Sequence, residues 1–306
     1  MPERSAPSGN PHKVRIRVPA TTANLGPGFD CLGMSLDIFD TVTLTMGEKA
    51  TPEEGDDLAR QYAELVRLAV GHLYRALELE PPEVAVAMQR TIPVGRGLGS
   101  SAAAIVAGLL GANTLAGSPI SQESLGELAA SIEGHPDNAT PCLYGGFQVC
   151  VMEQERLVHL SLPLPTGLQA VLFIPDFPLP THESRKLLPK ELSRADVVFQ
   201  TSRTALLVAA LATNRLEHLH IATQDRLHQP ARGTLFPGMW PLFEAAREAG
   251  ALCAYLSGGG PTVVALTLDG AEHIREALEQ VALKLGIKGE ARIAQPTETG
   301  AVVVTE

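Results

Sequence analysis

The sequence predicts an α+β fold in two domains. Stretches whose apolar residues recur at helical spacing are mixed with short alternating, β-branched stretches, without the strict strand–helix alternation of a parallel sheet. The chain has 306 residues, which exceeds the usual length of one domain. Residues 163–167 contain two prolines and a glycine and form the best linker candidate. We therefore expect a disordered polar tail at residues 1–12, an N-terminal domain at 13–160 and a C-terminal domain at 161–306.

In the first half, the spacing of apolar residues identifies each element. Val14 to Val18 alternates as a half-buried strand does, and Pro19 is expected to end it. Residues 58–79 repeat apolar positions at helical spacing until a pair of prolines stops the helix. Residues 134–146 are rich in turn formers and predict a loop. The remaining predicted elements are strands at 41–46, 84–88, 147–152 and 157–160, and helices at 100–115 and 122–132.

In the second half, strands and helices again follow one another irregularly. Residues 175–180 form a proline-rich loop, which is followed by a mainly helical stretch from Pro189 to about His228. A glycine-rich loop, Ser257 to Pro261, separates two predicted strands. The other predicted elements are strands at 168–174, 251–256, 262–268 and 287–294, and helices at 240–249 and 271–285.

Charge and cysteine content exclude several classes of function. The chain has 24 Lys and Arg against 34 Asp and Glu, a net charge of −10, and lacks a basic stripe interleaved with aromatic residues. We therefore expect no nucleic-acid partner, and an anionic ligand would need a local binding site. The four cysteines form neither a CxxC pair nor a zinc-type cluster. The start of the chain is polar and the longest apolar stretch, residues 102–112, is too short to span a membrane. We expect a cytoplasmic protein without membrane contact.

The segment from Pro93 to Ala104 is the strongest motif in the chain. Three alternate glycines precede a helix, so backbone N–H groups and the helix N-terminus favour an anion such as a phosphate. Ser100 and Ser101 add hydroxyls, one usable as a helix cap and one as a phosphate or Mg²⁺ ligand. The segment is not a Walker A loop, because no lysine follows its last glycine. A tight strand-to-helix turn capped by serine remains the alternative interpretation.

Five further segments extend this motif into a set. They are Val18–Asp30 (VPATTANLGPGFD), Glu133–Asn138 (EGHPDN), Arg185–Pro189 (RKLLP), Asp225–Pro230 (DRLHQP) and Ser257–Thr262 (SGGGPT). Together, and in this order, they resemble the motifs of the GHMP kinases, and the first block resembles the version found in homoserine kinases. The resemblance covers the chain from about Val14 to its end. It implies an N-terminal domain like the second domain of ribosomal protein S5 and a ferredoxin-like C-terminal domain.

The same resemblance implies ATP-dependent, Mg²⁺-assisted phosphorylation of the hydroxyl of L-homoserine to O-phospho-L-homoserine, on the route to threonine. It assigns the ATP phosphates to Pro93, Val94, Gly95, Arg96, Gly97, Leu98, Gly99, Ser100, Ser101, Ala102 and Ala103. Asp57 stands near the adenine site, where the family usually has Asn. Mg²⁺ is assigned to Ser100, Ser101 and a carboxylate. Counting back about eight residues from His135 gives Glu127, and Glu133 remains the alternative.

For the substrate, the resemblance implies a binding set drawn from both halves, hence a site in the cleft between the domains. The set is Asn24, Asp30, His135, Asp137, Asn138, Thr181, Arg185 and Arg232. Arg185 and Arg232 suit the carboxylate of an amino acid, and Asp30 with Asn24 suits its ammonium group. Asn138 stands where mevalonate kinases have an Asp that can act as the base. We expect Asn138, Ser101 and Glu127 to be catalytic, with Asn138 orienting the hydroxyl for direct attack.

Two other functions stay open on the sequence. One is another GHMP kinase, such as a mevalonate-type enzyme, although the arginine pair favours an amino-acid substrate. The other is a catalytically silent sensor with the GHMP fold, although both loop serines are present. An oxidoreductase that binds a dinucleotide is disfavoured because no G-x-G-x-x-G follows the first strand. A homodimer is expected from the family.

Overall fold

The structure, a computed structural model, describes residues 12–47, 57–179 and 181–304, the side chains of residues 181–183 excepted. Nearly all of the predicted tail therefore lies outside the described residues. The strands are β1 (Lys13–Asn24), β2 (Gly28–Met46), β3 (Val84–Gln89), β4 (Phe147–Glu153), β5 (Arg156–Leu162), β6 (Gln169–Pro175), β7 (Cys253–Leu256), β8 (Val263–Thr267), β9 (Gly289–Ala294) and β10 (Val302–Val304). The helices are α1 (Asp57–Ala76), α2 (Ser100–Leu115), α3 (Gln122–Glu133), α4 (Pro136–Tyr144), α5 (Thr181–Lys186), α6 (Arg194–Ala212), α7 (Leu219–Ala222), α8 (Gln229–Arg232), α9 (Met239–Glu248) and α10 (Ala271–Lys284).

The first sheet is built around the long β1–β2 pair. Its order is β10-β1-β2-β4-β5, with β3 also paired to β2, and every pairing is antiparallel. The predicted end of β1 at Pro19 is wrong. The pairing register shifts between Pro19 and Ala20, and such an irregularity tolerates a residue without a backbone N–H. β1 therefore continues to Asn24, and its buried last residues are the first part of the Val18–Asp30 motif.

Helices α1, α2, α3 and α4 belong to this first half, and α2 is its central helix. Twelve of the sixteen residues of α2 are buried, as its apolar composition predicts, and its predicted bounds are confirmed. The predicted loop at residues 134–146 is wrong, because α4 occupies most of it. Pro136 stands at the first helical position and Asp137 in the first turn, and both residue types favour a helix start.

The second sheet has the order β7-β8-β6-β9 and is also antiparallel. Its core includes Phe173 from β6, Leu242 from α9, and Ile274 and Leu278 from α10, all buried. The mixed architecture confirms the predicted α+β fold. The chain leaves the first sheet after Leu162 and enters the second at Gln169.

After the second sheet, the chain returns to the first. Residues 295–301 run beside β2 and α4: Asp37 N donates to Gln295 O at 2.9 Å, and Ala301 N donates to Cys142 O at 2.8 Å. β10 then pairs with β1, Ile16 opposite Val303. The second half is thus inserted between β5 and β10. The sequence did not predict β10, which is only three residues long.

Helix α6 lies at the surface of the second half. Among the described residues it is the one helix long and apolar enough to span a membrane by length and composition, with 17% of the tested window buried. Its buried residues Leu207, Ala210 and Leu211 pack in the first core. Two polar side chains add contacts with the β1–β2 turn: Gln200 Nε2 donates to Pro27 O at 2.9 Å, and Thr204 Oγ1 donates to the same carbonyl at 3.0 Å.

Candidate active site

A cavity of about 230 Å³ lies where the two halves meet. Its walls come from α1, the loop before α2, the segment joining α3 to α4, and the C-terminal half. The lining residues are Asn24, Gln61, Tyr62, Leu65, Val94, Gly95, Gly97, Gly99, Ser100, Ser101, Glu133, His135, Asp137, Asn138, Leu179, Arg185, Arg232, Gly258 and Gly259. The cavity therefore brings together most of the residues that the sequence motifs predicted.

The glycines of the loop before α2 have backbone conformations that side chains oppose. Gly95, Gly97 and Gly99 have φ values of +67°, +78° and +71°. A Cβ on Gly97 would lie 2.3 Å from Ser257 O, and one on Gly99 would lie 1.9 Å from the Thr21 hydroxyl oxygen. Only glycine fits at either position. These contacts fix the loop against strands of both halves.

The N-terminus of α2 has no side-chain cap. Its N-cap residue is Gly99, so the expectation that a serine caps the helix is wrong. Ser100 and Ser101 line the cavity instead. The first N–H groups of the helix thus have no capping side chain, which is the arrangement that binds phosphate at a helix N-terminus.

Five predicted phosphate-loop residues do not line the cavity among the described residues, and Pro93 is one of them. Leu98, Ala102 and Ala103 are fully buried in the first core. Arg96 turns away from the cavity, and its Nε donates to Pro175 O at 2.8 Å. The Arg96 carbonyl accepts from Thr262 N at 3.2 Å. The side chains of these residues therefore hold the loop in place, and the prediction that the loop contacts phosphates rests on its backbone N–H groups.

The structure distinguishes the two candidate metal carboxylates. Ser101 Oγ donates to Glu133 Oε2 at 2.6 Å, and of the two glutamates only Glu133 is among the described residues that line the cavity. Glu127 lies six residues earlier on α3, which places it about 240° around the helix. It is near Tyr144 instead, where burial, then Glu123 and Glu127, raise the pKa of Tyr144 to about 12. The choice of Glu127 over Glu133 is therefore corrected.

The environment of Glu133 fits a cation. Burial raises the pKa of its carboxyl group, and the Ser101 hydrogen bond only partly offsets that effect. A carboxylate and hydroxyls are the oxygen donors that Mg²⁺ prefers. A cation bound there would compensate the cost of burying the charge.

The start of α4 holds three predicted substrate residues in one hydrogen-bond network. Asp137 Oδ1 lies 2.6 Å from His135 Nδ1 and accepts from Asn138 Nδ2 at 3.2 Å. Asn138 Oδ1 accepts from Thr21 Oγ1 at 2.8 Å, which fixes the orientation of its amide. Burial opposes protonation of His135, but the Asp137 hydrogen bond and charge raise its pKa overall.

An ion pair joins the two halves beside this network. Arg185 donates to both carboxylate oxygens of Asp30, at 2.9 and 2.5 Å. Asn24 Oδ1 accepts from Asp30 N at 3.0 Å, and Asn24 Nδ2 donates to Gly258 O at 3.1 Å. Asp30 also lies within 4.8 Å of ligand atoms on His135 and Asp137. The pair therefore lies beside the His135–Asp137 network, and Arg185 lines the cavity although Asp30 does not.

A second guanidinium, that of Arg232, is buried next to this pair. Arg232 is 1% exposed, and its Nη1 donates to Gly258 O at 2.7 Å. Burial, followed by repulsion from Arg185, lowers its pKa to about 10. Both guanidiniums lie over Phe29, 5.1 Å (Arg185) and 5.6 Å (Arg232) from the ring centre. Two cationic groups held this close favour an anion between them.

Of the other predicted site residues, Asp57 does not line the cavity among the described residues. Asp57 is exposed at the start of α1 and forms an ion pair with Arg60, so its prediction at the adenine site is not supported. Thr181 begins α5, but its side chain lies outside the described residues. The motifs missed Gln61, Tyr62 and Leu65, which line the cavity from α1. Their helical spacing placed them on α1 but did not show which face meets the cavity.

Family models match both halves of the chain. Residues 64–146 match the N-terminal domain of GHMP kinases, and residues 207–283 match the C-terminal domain of GHMP kinases. The chain is 39% identical over 294 residues to a homoserine kinase of Carboxydothermus hydrogenoformans, covering 94% of this chain and 96% of that protein. It is 41% identical over 300 residues to a homoserine kinase of Moorella thermoacetica, covering 94% of this chain and 99% of that protein.

Solved structures with this fold include two useful comparisons. The crystal structure of homoserine kinase from Cytophaga hutchinsonii is similar with a TM-score of 0.86 and 29% identity, over 99% of this chain and 100% of that one. L. major mevalonate kinase in complex with R-mevalonate has a TM-score of 0.62 and 16% identity, over 96% of this chain and 98% of that one. The second likeness is one of fold alone.

Proposed function

The chain belongs to the homoserine kinases of the GHMP kinase family, and from this premise we propose that it transfers the γ-phosphate of ATP to the side-chain hydroxyl of L-homoserine. The products are O-phospho-L-homoserine, a precursor of threonine, and ADP. The observation that carries the proposal is a charged group at the cavity: the guanidiniums of Arg185 and Arg232 line it, and Asp30 is hydrogen-bonded to Arg185. That group complements a small zwitterion, and it lies in the same cavity as the glycine loop.

The glycine loop and the start of α2 are the proposed ATP phosphate site. Gly95, Gly97 and Gly99 allow the backbone to approach the phosphates, and the uncapped helix N-terminus favours their negative charge. The residues that would hold Mg²⁺ are Ser101 and Glu133, with Ser100 adjacent. When bound there, Mg²⁺ would supply positive charge that offsets the negative charge of the phosphates during transfer.

The ion pair between Asp30 and Arg185 suggests how the substrate is recognised. A zwitterion carries both charges that this pair carries, so its ammonium group pairs with Asp30 while its carboxylate pairs with Arg185 and Arg232. One ion pair is exchanged for two, without leaving a charge unpaired. A substrate with a carboxylate and no ammonium group would leave Asp30 with weaker compensation.

Asn138 is proposed to orient the attacking hydroxyl. An amide does not accept a proton at neutral pH, so this chain supplies no base at that position. In the loose transition state of phosphoryl transfer, the nucleophile needs little activation and positioning supplies most of the rate. The bond from Thr21 holds the amide in one orientation, which suits a positioning role.

Several coarser features are part of the same proposal. We place the domain division near residue 160, and the change of sheet between Leu162 and Gln169 supports it. The predicted end of the C-terminal domain at 306 is corrected, because residues 295–304 return to the first half and β10 pairs with β1. A homodimer in the cytoplasm without nucleic-acid or membrane partners is proposed from the family and the net charge of −10. A mevalonate-type function is not favoured, since the relatives near 40% identity are homoserine kinases.

The test is an ADP-release assay with ATP and Mg²⁺, comparing L-homoserine, L-threonine, mevalonate and no acceptor. Turnover with L-homoserine, and ³¹P NMR detection of its phosphate ester, is the expected result. Turnover with mevalonate but not with L-homoserine would support the assignment of the phosphate loop and contradict the assignment of the zwitterion site. ATP binding without turnover on any acceptor would favour the silent sensor.

A further inference from the structure

A histidine outside the cavity contacts the buried arginine within it. His228 is fully buried and does not line the cavity among the described residues. Its Nδ1 lies 2.8 Å from Arg232 Nη1, and its Nε2 lies 2.7 Å from Gly26 O. It therefore stands between Arg232 and the turn that connects β1 to β2.

These two contacts define the protonation state of His228. The Gly26 carbonyl can only accept, so Nε2 must carry the hydrogen. The guanidinium can only donate, so Nδ1 must be the free acceptor. Only the neutral imidazole with hydrogen on Nε2 satisfies both contacts. Burial lowers the pKa of His228, which is consistent with a neutral ring even though Asp225 lies 3.7 Å from Nε2.

The contact with His228 leaves one edge of Arg232 for the substrate. The two hydrogens of Nη1 are directed to His228 Nδ1 and Gly258 O. The buried Nε has no hydrogen-bond partner among the described residues. Nε and Nη2 form the fork of a guanidinium that binds a carboxylate through two parallel hydrogen bonds. A buried donor without a partner is costly, and an incoming carboxylate removes that cost.

We propose that His228 is a positioning residue for substrate recognition, which holds Nη1 of Arg232 so that the Nε–Nη2 edge faces the substrate carboxylate. The inference rests on the proposed function, because it assumes a carboxylate in the cavity. His228 lies within the Asp225–Pro230 motif, and the family resemblance implied no role for it.

Contacts on both sides of His228 fix its position: hydrogen bonds to its own backbone segment on one side, and the constrained Gly26 turn on the other. Asp225 accepts from the backbone N–H groups of Leu227, His228 and Gln229, at 3.0, 2.9 and 2.6 Å. On the other side, Gly26 has φ +85°, and a Cβ there would lie 2.1 Å from Thr223 O. The carbonyl that orients the ring is therefore itself held in a position that only glycine fits.

Three substitutions separate the two contacts. In His228→Asn, the side-chain oxygen reaches the place of Nδ1 and keeps the acceptor for Arg232. In His228→Gln, the amide lies one bond further out and keeps a donor for Gly26 O instead. His228→Ala loses both contacts, and His220→Ala, an exposed histidine on α7, is the matched control.

The assay compares L-homoserine with 3-amino-1-propanol, which is homoserine without its carboxylate. The measured quantity is the ratio of kcat/KM for the two acceptors, at saturating ATP, with Tm measured for each variant. His228→Ala and His228→Gln are expected to lower that ratio about 10- to 100-fold, mainly through KM for homoserine. His228→Asn and His220→Ala should keep it near the wild-type value.

Each other outcome has a defined meaning. An unchanged ratio in His228→Ala and His228→Gln overturns the positioning role, even where Tm or overall kcat falls, because a purely structural role affects both acceptors alike. If His228→Ala does not fold, the contrast between the Asn and Gln variants decides in the same way. If the wild-type protein does not phosphorylate homoserine, the proposed function fails and this inference fails with it.

Discussion

Glu133→Gln is expected to lower activity while raising thermal stability. The substitution removes the negative charge beside Ser101 but keeps an oxygen that accepts the Ser101 hydrogen bond. Loss of one electrostatic contribution of this kind in an active site typically lowers kcat by about 10²- to 10³-fold, or about 3–4 kcal/mol. Glu127→Gln is the matched control on the same helix, and its kinetics should equal those of the wild-type protein.

The stability effect follows from the cause of the pKa shift. Burial is the largest effect on Glu133 and raises its pKa above the ordinary 4.5, whereas the Ser101 hydrogen bond is a smaller, opposing one. The folded protein therefore holds this proton more tightly than the unfolded chain does. As pH rises from about 4.5 through the folded pKa, the wild-type protein loses stability that the Gln variant keeps.

Thermal unfolding of both variants between pH 4.5 and 8, without nucleotide or Mg²⁺, provides the test. The Tm of Glu133→Gln should equal that of the wild-type protein at the acidic end and exceed it at the basic end. Steady-state kinetics at varied Mg²⁺ provide the second measurement. The reasoning is refuted if Glu127→Gln loses activity and Glu133→Gln does not, or if Glu133→Gln unfolds earlier than wild type at pH 8.

Three further substitutions test the rest of the site. Arg232→Lys keeps the charge but loses the fork, so kcat/KM for L-homoserine should fall about 10- to 150-fold with KM for ATP unchanged in two-substrate kinetics. Asn138→Ala should lower kcat about tenfold or more, and wild-type kcat and KM would rule out its orienting role. Gly99→Ala should lower Tm and weaken ATP binding measured by calorimetry, because its Cβ would lie 1.9 Å from the Thr21 hydroxyl oxygen. The control is Gly47→Ala, because Gly47 also has a positive φ of +78° but a Cβ there would have no atom within 4 Å. Its loss of stability therefore measures only the cost of the left-handed backbone, about 1–2 kcal/mol, without a steric clash.

The parts of the site that lie within one motif could be predicted from the sequence. The alternate glycines of the loop need positive φ angles, and the apolar run from Ser100 to Leu115 has no polar face, so a buried helix after a phosphate loop follows from local chemistry. The opposed charges of Asp30 and Arg185 also fit their roles, although their direct pairing needed the fold.

The predictions that failed concern features that depend on the rotation of a helix about its axis or on contacts between distant parts of the sequence. Counting residues placed Glu127 at the metal, but only the turn of α3 decides which glutamate faces Ser101. Pro19 was expected to end β1 and residues 134–146 to form a loop, whereas a register shift accommodates Pro19 and Pro136 begins helix α4. The role of His228 depends on contacts with Gly26 and Arg232, of which the first spans 202 residues of sequence. No local pattern contains that information.

The return of the chain to its first sheet has a mechanical consequence. Two separate connecting segments, residues 163–168 and 295–301, join the second half to the first. The second of these segments is hydrogen-bonded along β2 and α4. A body tethered at both ends can turn only about an axis that both connections permit, whereas a lobe joined by one linker is not restricted in this way. The phosphate loop adds a third tie through Arg96. Any movement of the two halves away from each other at the cavity would break the Asp30–Arg185 contact, which joins them.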